Sequence, residues 1–293
     1  MKLQYIVKKN DNNKTLKEVL KAELKISDKL LLKLKKNKLI TLNSNFTYLN
    51  HKIYENDIVV CNLDFEEDIS NIIPVENKKL DIIYEDECYL IIDKPAGIPV
   101  HPSMQHFTDS LSNQVAFYFN KIGLKKKIRP VNRLDKDTSG LVIFAKNEYV
   151  QEILIKQMQS KQFVKKYIAI IKGHLEEQEG IINKPISRKE NSIIERCISN
   201  NGLPSITHYK VIKSQKKFDV VECTLETGRT HQIRVHFASI GHSLVGDTLY
   251  GEPSNLICRQ ALHSYKINFI HPLLKTKVEY FSSVPSDIKK LLE

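Results

Sequence analysis

The sequence predicts an α+β protein: a small α+β domain, then a larger domain built on a largely antiparallel, mixed sheet with flanking helices. Three observations predict this class. Short apolar runs typical of strands outnumber the helical patterns, and turns rather than long crossovers connect most of those runs. The charge also changes sign near residue 64, which divides the chain into a small and a large part. A chain of 293 residues is long enough for both.

The first predicted domain, residues 1–64, is rich in lysine. Residues 1–60 contain 13 Lys against 6 Asp or Glu, hence +7 within a chain of net charge +11. The spacing of apolar residues in 14–38 predicts two short helices, the second capped by Ser27 with Asp28, and short strands follow. The second helix leaves these lysines outside: Lys29, Lys33, Lys35, Lys36 and Lys38. A solvated face is common for single lysines, but this clustering favours a surface that contacts phosphates.

An acidic stretch with one proline follows the lysine-rich domain. Residues 65–79 contain Pro74 and reverse the sign of the local charge. A change in charge together with a proline is typical of a linker. We therefore expect a small domain over 1–64, a linker over 65–79 and a large domain over 80–293.

Strands and two clear amphipathic helices alternate in the large domain. The segment 109–123 predicts a helix that Gly123 ends, and 147–159 predicts a second helix capped by Asn147. Thr230 is a candidate cap for a third. The predicted strands, in chain order, are DIIY, YLIIDK, LVIFAK, FVKKYIAIIKG, ITHYKVIK, FDVVECTLE and KINFIHP.

The composition indicates which kinds of partner the protein binds and in which cellular compartment it is found. The pI near 9.2 favours a polyanion such as RNA, DNA or anionic lipid. No apolar window is long enough to span a membrane, and the N-terminus lacks a signal-type apolar stretch. The five cysteines are scattered, and their spacing favours reduced thiols in the cytoplasm over disulfides or a zinc site. We expect a cytoplasmic monomer without metal.

Polar clusters interrupt the apolar runs of the large domain. They are KPAGIPVHP (94–102), RPVNRLDKDTSG (129–140), KKYIAIIKG (165–173), ETGRTHQIRVH (226–236), GHSLVGDTLYG (241–251) and RQALHSYKINFIHP (259–272). In the second cluster, Arg133 and Lys136 flank Asp135, and a nearby cation favours an ionised carboxylate. Such an aspartate acts as a nucleophile or as an electrostatic partner. Taken alone, the stretch fits a polar turn capped by aspartate at least as well.

The clusters together resemble a known family. NRLDKDTSGLVIFAK closely resembles the H-R-L-D-x-x-T-S-G motif of pseudouridine synthases of the RluA-like branch. The other clusters resemble further blocks of that family in the same order, over roughly residues 80–275. The lysine-rich start resembles, less specifically, the small alpha-L RNA-binding domain found in many of these enzymes.

The resemblance implies an enzyme that isomerises uridine in rRNA or tRNA to pseudouridine without metal or cofactor. It implies that Asp135 is the nucleophile, that Tyr167 stacks on the flipped uracil, and that Arg234 pairs with Asp135. The substrate-binding residues that it implies are Arg133, which helps to flip the nucleotide, Arg229, His231, Gln232 and Leu262. Asp137 keeps a structural interpretation.

The sequence departs from the family pattern at Asn132 and in QHFTDS (105–110), where the family often has glycines. Asn132 stands where the family usually has histidine, so no acid or base is available there. Two other functions remain open. A non-catalytic RNA-binding factor for ribosome assembly would share the fold, but intact Asp135, Tyr167 and Arg234 disfavour it. An aspartyl-phosphate site like D-K-T-G-T is disfavoured by an inserted residue and by the missing membrane spans. The sequence does not identify the RNA.

Overall fold

The computed structural model describes residues 1–67, 69, 72–76, 79–104 and 106–293. Within these ranges the helices are α1 (Leu16–Ala22), α2 (Asp28–Lys36), α3 (Leu111–Lys121), α4 (Glu148–Gln159), α5 (Gln232–Ala238) and α6 (Ser286–Leu292). The strands are β1 (Lys2–Ile6), β2 (Ile40–Leu42), β3 (Asn45–Phe46), β4 (Ile58–Asn62), β5 (Ile82–Glu85), β6 (Tyr89–Lys94), β7 (Ser139–Ala145), β8 (Val164–Lys172), β9 (Glu179–Asn183), β10 (Ile186–Arg188), β11 (Arg196–Ile198), β12 (Ile206–Ser214), β13 (Phe218–Leu225), β14 (Leu262–Ile270) and β15 (Lys277–Phe281).

The N-terminal segment, residues 1–64, combines two helices with a sheet of order β1-β4-β2-β3. The Ser27 hydroxyl accepts a hydrogen bond from Leu30 N at 3.3 Å and caps α2, as the sequence predicts. Thr15 and Glu18 form a reciprocal capping box at the start of α1. These local hydrogen bonds satisfy amide groups that have no partner inside the helix, so both helices begin where the sequence provides a cap.

A large mixed sheet forms the centre of the remaining chain. Its order is β5-β6-β7-β14-β8-β13-β12-β9, with β15 added beside β14. All its pairings are antiparallel except that of β7 with β14, in which His263 faces Ser139. The predicted fold class is therefore confirmed. The parallel pair places the start of β7, which follows Asp135, beside the start of β14. The polar clusters 129–140 and 259–272, which are far apart in sequence, therefore meet at the same end of these two strands.

The N-terminal segment packs against the large part through one continuous apolar cluster that contains residues of both. Polar contacts between α2 and α4 border this cluster. Lys29 Nζ lies 3.2 Å from Glu148 Oε1, Lys33 also pairs with Glu148, and Ser27 Oγ donates to Glu152 Oε1 at 2.8 Å. The helices α2 and α4 are thus held together by charge as well as by apolar burial.

The predicted linker, 65–79, is fastened to the large part at its beginning. Arg129 donates to both carboxylate oxygens of Glu67, at 2.6 and 2.7 Å. Lys126 Nζ donates to the carbonyl of Leu63 at 3.2 Å. Residues 68, 70, 71, 77 and 78 of the predicted linker lie outside the described residues, so the domain boundaries stay a prediction.

Several elements differ from the sequence-based expectation. Thr230 does not cap α5: the N-cap is His231, which has a left-handed backbone (φ 59°, ψ 18°) and no side-chain cap. The strands β1, β9, β10, β11 and β15 and the short helix α6 are not predicted by the sequence patterns. These elements are short or carry many polar residues, so tertiary pairing rather than local pattern determines them.

Gly140 allows β7 and β14 to approach each other closely. Its φ is +113°, which side-chain-bearing residues rarely adopt, and a Cβ there would lie 2.2 Å from the carbonyl oxygen of Ser264. The contacting atoms belong to backbone and cannot rotate away. The glycine that ends the D-x-x-T-S-G cluster is therefore required by strand packing.

Replacing Gly140 with alanine tests this requirement. We expect Gly140→Ala to lower the free energy of unfolding by about 2–5 kcal/mol, because about 1–2 kcal/mol of backbone strain adds to about 1–3 kcal/mol of overpacking. Gly123→Ala is the matched control, since Gly123 has φ +72° and nothing within 4 Å. Chemical denaturation measures both variants, and equal losses would show that the close approach is unimportant.

Candidate active site

Asp135 lies half-buried in the turn before β7, and a guanidinium from α5 reaches it. Arg234 Nη1 donates to Asp135 Oδ2 at 3.2 Å. The turn itself is closed by a hydrogen bond from Thr138 N to the Asp135 carbonyl at 3.1 Å. The structure thus brings together two predicted site residues that are 99 positions apart in sequence. A guanidinium in this position can donate a charge-assisted hydrogen bond, which fixes the direction of the carboxylate.

A second carboxylate fixes the direction of Arg234. Asp247 is 1% exposed and accepts from Arg234 Nε at 2.7 Å and Nη2 at 2.9 Å. Its Oδ1 also accepts from the backbone N–H groups of Leu249 and Tyr250. Burial opposes ionisation of Asp247, but the hydrogen bonds and charge of Arg234 hold its pKa below the usual range. The sequence analysis missed this residue, although it is the single acidic residue of the cluster 241–251.

Tyr250 packs on the other side of this ion pair. The Arg234 guanidinium lies 5.1 Å from the Tyr250 ring centroid. The Tyr250 hydroxyl accepts from Arg196 N at 2.8 Å, and it is bonded to His231 Nδ1 at 2.8 Å. Either atom of this pair can be the donor, depending on the tautomer of the neutral imidazole, and His231 Nε2 lies 4.0 Å from Asp135 Oδ1. Burial lowers the pKa of His231 and favours this neutral ring.

Apolar side chains and the ring of Tyr167 lie near Asp135. Tyr167 on β8 is 5% exposed and belongs to the same cluster as Leu134, Leu262 and Cys223. Burial is the largest cause that raises the pKa of the Tyr167 phenol, and the charge of Asp135 raises it further. Across the sheet Tyr167 faces Ser264, and Leu262 faces Ala169. The predicted residues Tyr167 and Leu262 thus lie on one face of two neighbouring strands.

Three side chains hold the Asp135 turn and the first residue of the strand that follows it. Lys94, fully buried, donates to the Lys136 carbonyl at 2.9 Å and to two carbonyls of its own loop. Burial lowers the pKa of Lys94 to about 7. Arg259 donates to the Asp137 carbonyl at 3.0 Å. His263 Nδ1 is bonded to Ser139 Oγ at 2.9 Å. The clusters at 94–102 and 259–272 thus position the turn that carries Asp135.

Asn132, one of the departures from the family pattern, serves the backbone of β7. It is 5% exposed, donates from Nδ2 to the Leu141 carbonyl at 3.0 Å and accepts from Ile143 N at 2.9 Å. Both ends of the amide are used in hydrogen bonds with the strand. Position 132 therefore needs hydrogen-bonding capacity and no titratable group in this chain.

The other predicted substrate-binding residues differ in accessibility. Arg133 is exposed and lines a cleft of about 490 Å³ that Lys29, Lys33 and Arg129 also line. Arg229 Nε donates to the Pro204 carbonyl at 3.2 Å. Gln232 is 3% exposed, and its amide is hydrogen-bonded to the Thr227 hydroxyl, to Arg229 N, to the Ile206 carbonyl and to the Thr207 hydroxyl. Gln232 therefore orders the loop before α5, and its contact with substrate stays a prediction.

The predicted RNA-binding lysines of α2 and its following turn fall into two groups. Lys29 and Lys33 pair with Glu148 of α4 at the edge of the cleft. The remaining three, Lys35, Lys36 and Lys38, are exposed. Lys38 Nζ lies 5.9 Å from the Phe46 ring centroid. Contact of these lysines with RNA stays a prediction.

One cluster of possible metal ligands lies at the start of β6. Ligand atoms of Asp86, Cys88 and His271 lie within 4.8 Å of one another. Asp86 Oδ2 is bonded to His271 Nε2 at 2.7 Å, and Asp86 Oδ1 accepts from Cys88 N at 2.7 Å. Burial and the neighbouring acidic groups raise the pKa of the Cys88 thiol to about 12, which disfavours the thiolate that binds metal. These contacts fit a buried hydrogen-bond network.

Comparisons with known proteins agree with one another. The family model for RNA pseudouridylate synthase matches residues 88–239. The chain is 39% identical to the uncharacterized RNA pseudouridine synthase YhcT of Bacillus subtilis, over 99% of this chain and 96% of that protein. It is 37% identical to the ribosomal large subunit pseudouridine synthase D of Zymomonas mobilis, over 73% of this chain and 72% of that protein.

The fold is also similar to that of a solved structure. The structure of human RNA pseudouridylate synthase domain containing 1 aligns with a TM-score of 0.57 and 26% identity, over 72% of this chain and 85% of that chain. In the part of the chain that the structure describes, no helix is both long and apolar enough to cross a membrane.

The buried His263 predicts how stability depends on pH. Burial lowers its pKa to about 4, so the folded protein keeps the ring neutral at pH values where an unfolded chain, with pKa near 6.5, already binds a proton. The stability from this group is complete above about pH 6.5 and is lost as pH falls toward 4. We expect wild type to lose roughly 2 kcal/mol from this group between pH 6.5 and 4.5.

The matched variants are His263→Asn and His51→Asn, because His51 is exposed. Chemical denaturation over this pH range should give a flatter dependence for His263→Asn only. A wild-type slope in His263→Asn would contradict the assignment of the neutral buried ring.

Proposed function

Because the chain belongs to the RNA pseudouridylate synthase family, in its RluA-like branch, we propose that it isomerises uridine in large-subunit rRNA with Asp135 as nucleophile. Membership of the family makes the protein an RNA pseudouridine synthase. The identity of the nucleophile and that of the RNA substrate are our proposals. The observation that carries the proposal is the half-buried Asp135 carboxylate, which Arg234 contacts at 3.2 Å beside the Tyr167 face.

The reaction exchanges one bond to the ribose for another. The Asp135 carboxylate adds to the nucleotide, at the ribose or at the base, and the bond between C1′ and N1 of uracil breaks. The base turns, C5 bonds to C1′, and the carboxylate leaves. N1 ends with a proton and C5 loses one, so product and substrate are isomers and no electrons are transferred to another molecule.

Each neighbouring residue type suits one requirement of this reaction. A uridine must leave its stack, which costs a few kcal/mol, and Tyr167 offers an aromatic face worth about 1–3 kcal/mol per stacked base. The exposed Arg133 lies two residues before Asp135 in sequence and supports extrusion of the nucleotide. Arg234 donates a hydrogen bond to the proposed nucleophile and fixes its position, and Leu262 supplies an apolar contact for the base.

The proposed RNA rests on the named relatives and on charge. Relatives that are 37% identical carry the name ribosomal large subunit pseudouridine synthase D. The net charge of +11 suits a polyanionic substrate. We further propose that the N-terminal segment is an alpha-L RNA-binding domain, with exposed Lys35, Lys36 and Lys38 as its phosphate contacts.

The release of tritium from C5 tests the proposed function. Large-subunit rRNA and tRNA are transcribed with [5-³H]uridine and incubated with purified protein. Wild type should release tritium from rRNA, and Asp135→Asn should retain RNA binding but fall below about one thousandth of the wild-type rate. Asp137→Asn, two residues away, is the matched control and should stay active.

Three outcomes would overturn parts of the proposal. Tritium release from tRNA but not from rRNA would show that tRNA, and not large-subunit rRNA, is the substrate. Tritium release by Asp135→Asn at the wild-type rate would show that Asp135 is not the nucleophile. Absence of pseudouridine in both RNAs would contradict the activity itself.

A further inference from the structure

Lys165 is a lysine of the active-site face to which the proposed mechanism gives no role. It lies on β8 two residues before Tyr167, and alternate residues of a strand share a face. Its ammonium nitrogen lies 3.2 Å from the position that a Cβ on Gly228 would occupy. Gly228 belongs to the loop that leads into α5 and Arg234. The Lys165 side chain thus reaches from the strand of Tyr167 to the loop that leads to Arg234.

The two lysines of β8 that lie away from this position are paired with acids. Lys166 Nζ contacts Glu222 at 2.6 Å, and Lys172 Nζ contacts Glu252 at 2.8 Å. Lys165, by contrast, has neither a hydrogen-bond acceptor nor a carboxylate partner within the ranges that the structure describes. Burial alone lowers the pKa of its ammonium, with no acidic group acting against it.

The nearest acidic residue of the adjoining loop is already occupied. Glu226 pairs with Lys161 at 2.5 Å and with His208 at 2.7 Å. Both of its carboxylate oxygens are therefore already bonded to other side chains. A half-buried ammonium without a counter-charge is costly, and such groups are retained where an anion arrives with a ligand.

Resting on the proposed function, we propose that Lys165 binds a phosphate of the RNA backbone next to the uridine held on Tyr167. The phosphodiester is the formal anion of RNA, whereas the uracil oxygens are neutral. Gly228 has no side chain, which leaves room for a sugar-phosphate chain beside the ammonium. The exposed Arg229 follows Gly228 directly and adds a second positive charge to the same loop.

A phosphate contact and a purely structural lysine predict different kinetics. A contact made equally in the ground state and the transition state raises KM and leaves kcat nearly unchanged. It also contributes to the salt dependence of binding, because each neutralised phosphate adds about 0.7–0.9 to the slope of log affinity against log salt. A lysine that only fills space would leave the salt slope unaltered.

The experiment compares Lys165→Met with Lys166→Met, which removes the same charge from the opposite face of the same strand. The probe is the [5-³H]uridine large-subunit rRNA transcript, assayed between 50 and 200 mM KCl. We expect Lys165→Met to raise KM about tenfold, to keep kcat within about threefold and to reduce the salt slope by about 1. Lys165→Arg, which keeps the charge, should restore most of the slope. Lys166→Met should keep the wild-type slope and KM.

The outcomes separate this inference from the function on which it rests. An active wild type with the same salt slope in Lys165→Met would overturn the phosphate contact alone. A wild type that binds the transcript but releases no tritium would overturn the proposed function. If Lys165→Met does not fold, the salt slope and KM of Lys165→Gln decide in its place, and wild-type values there would contradict the contact.

Discussion

Arg234 lies between two carboxylates, and the geometry of the site depends on this arrangement. A guanidinium is planar, so two hydrogen bonds to Asp247 fix the direction of its third nitrogen, which reaches Asp135 at 3.2 Å. Asp247 is in turn fixed by backbone N–H groups of its own loop. Breaking such a buried pair typically costs about 3–5 kcal/mol. Asp135, the proposed nucleophile, is therefore paired with a preorganised guanidinium rather than with a flexible surface arginine.

The sheet brings these groups together from distant parts of the chain. The parallel pairing of β7 with β14 requires Gly140 and sets the Asp135 turn beside Arg259 and His263. Arg259 donates to the Asp137 carbonyl, and His263 is bonded to the Ser139 hydroxyl. The antiparallel pairing of β14 with β8 then sets Tyr167 on the same side. Each polar cluster that interrupts an apolar run thus has a contact at this edge. The polar residues of the site are costly to bury alone, and the strands provide the partners that make their burial tolerable.

The sequence predicts well what depends on local chemistry. The caps Ser27 and Asn147 follow from side chains that bond nearby amides, and the ordered clusters identify Asp135, Tyr167 and Arg234 as candidates. It predicts poorly what depends on contacts across the fold. Asp247 gains its role from an arginine 13 residues earlier in the chain, and Lys29 and Lys33 meet Glu148 more than a hundred residues away. Thr230 is a good cap by type, but the left-handed His231 begins the helix instead.

The single-turnover rate of Arg234→Lys tests whether the site requires a guanidinium that is fixed in direction, or only a positive charge. Lysine keeps the positive charge, but a single ammonium cannot bond both oxygens of Asp247 and also reach Asp135 with fixed direction. We expect a folded protein that binds RNA and isomerises uridine about a hundredfold more slowly under single-turnover conditions. A rate within about threefold of wild type would show that charge alone suffices, and it would contradict the preorganised guanidinium as the basis of the site.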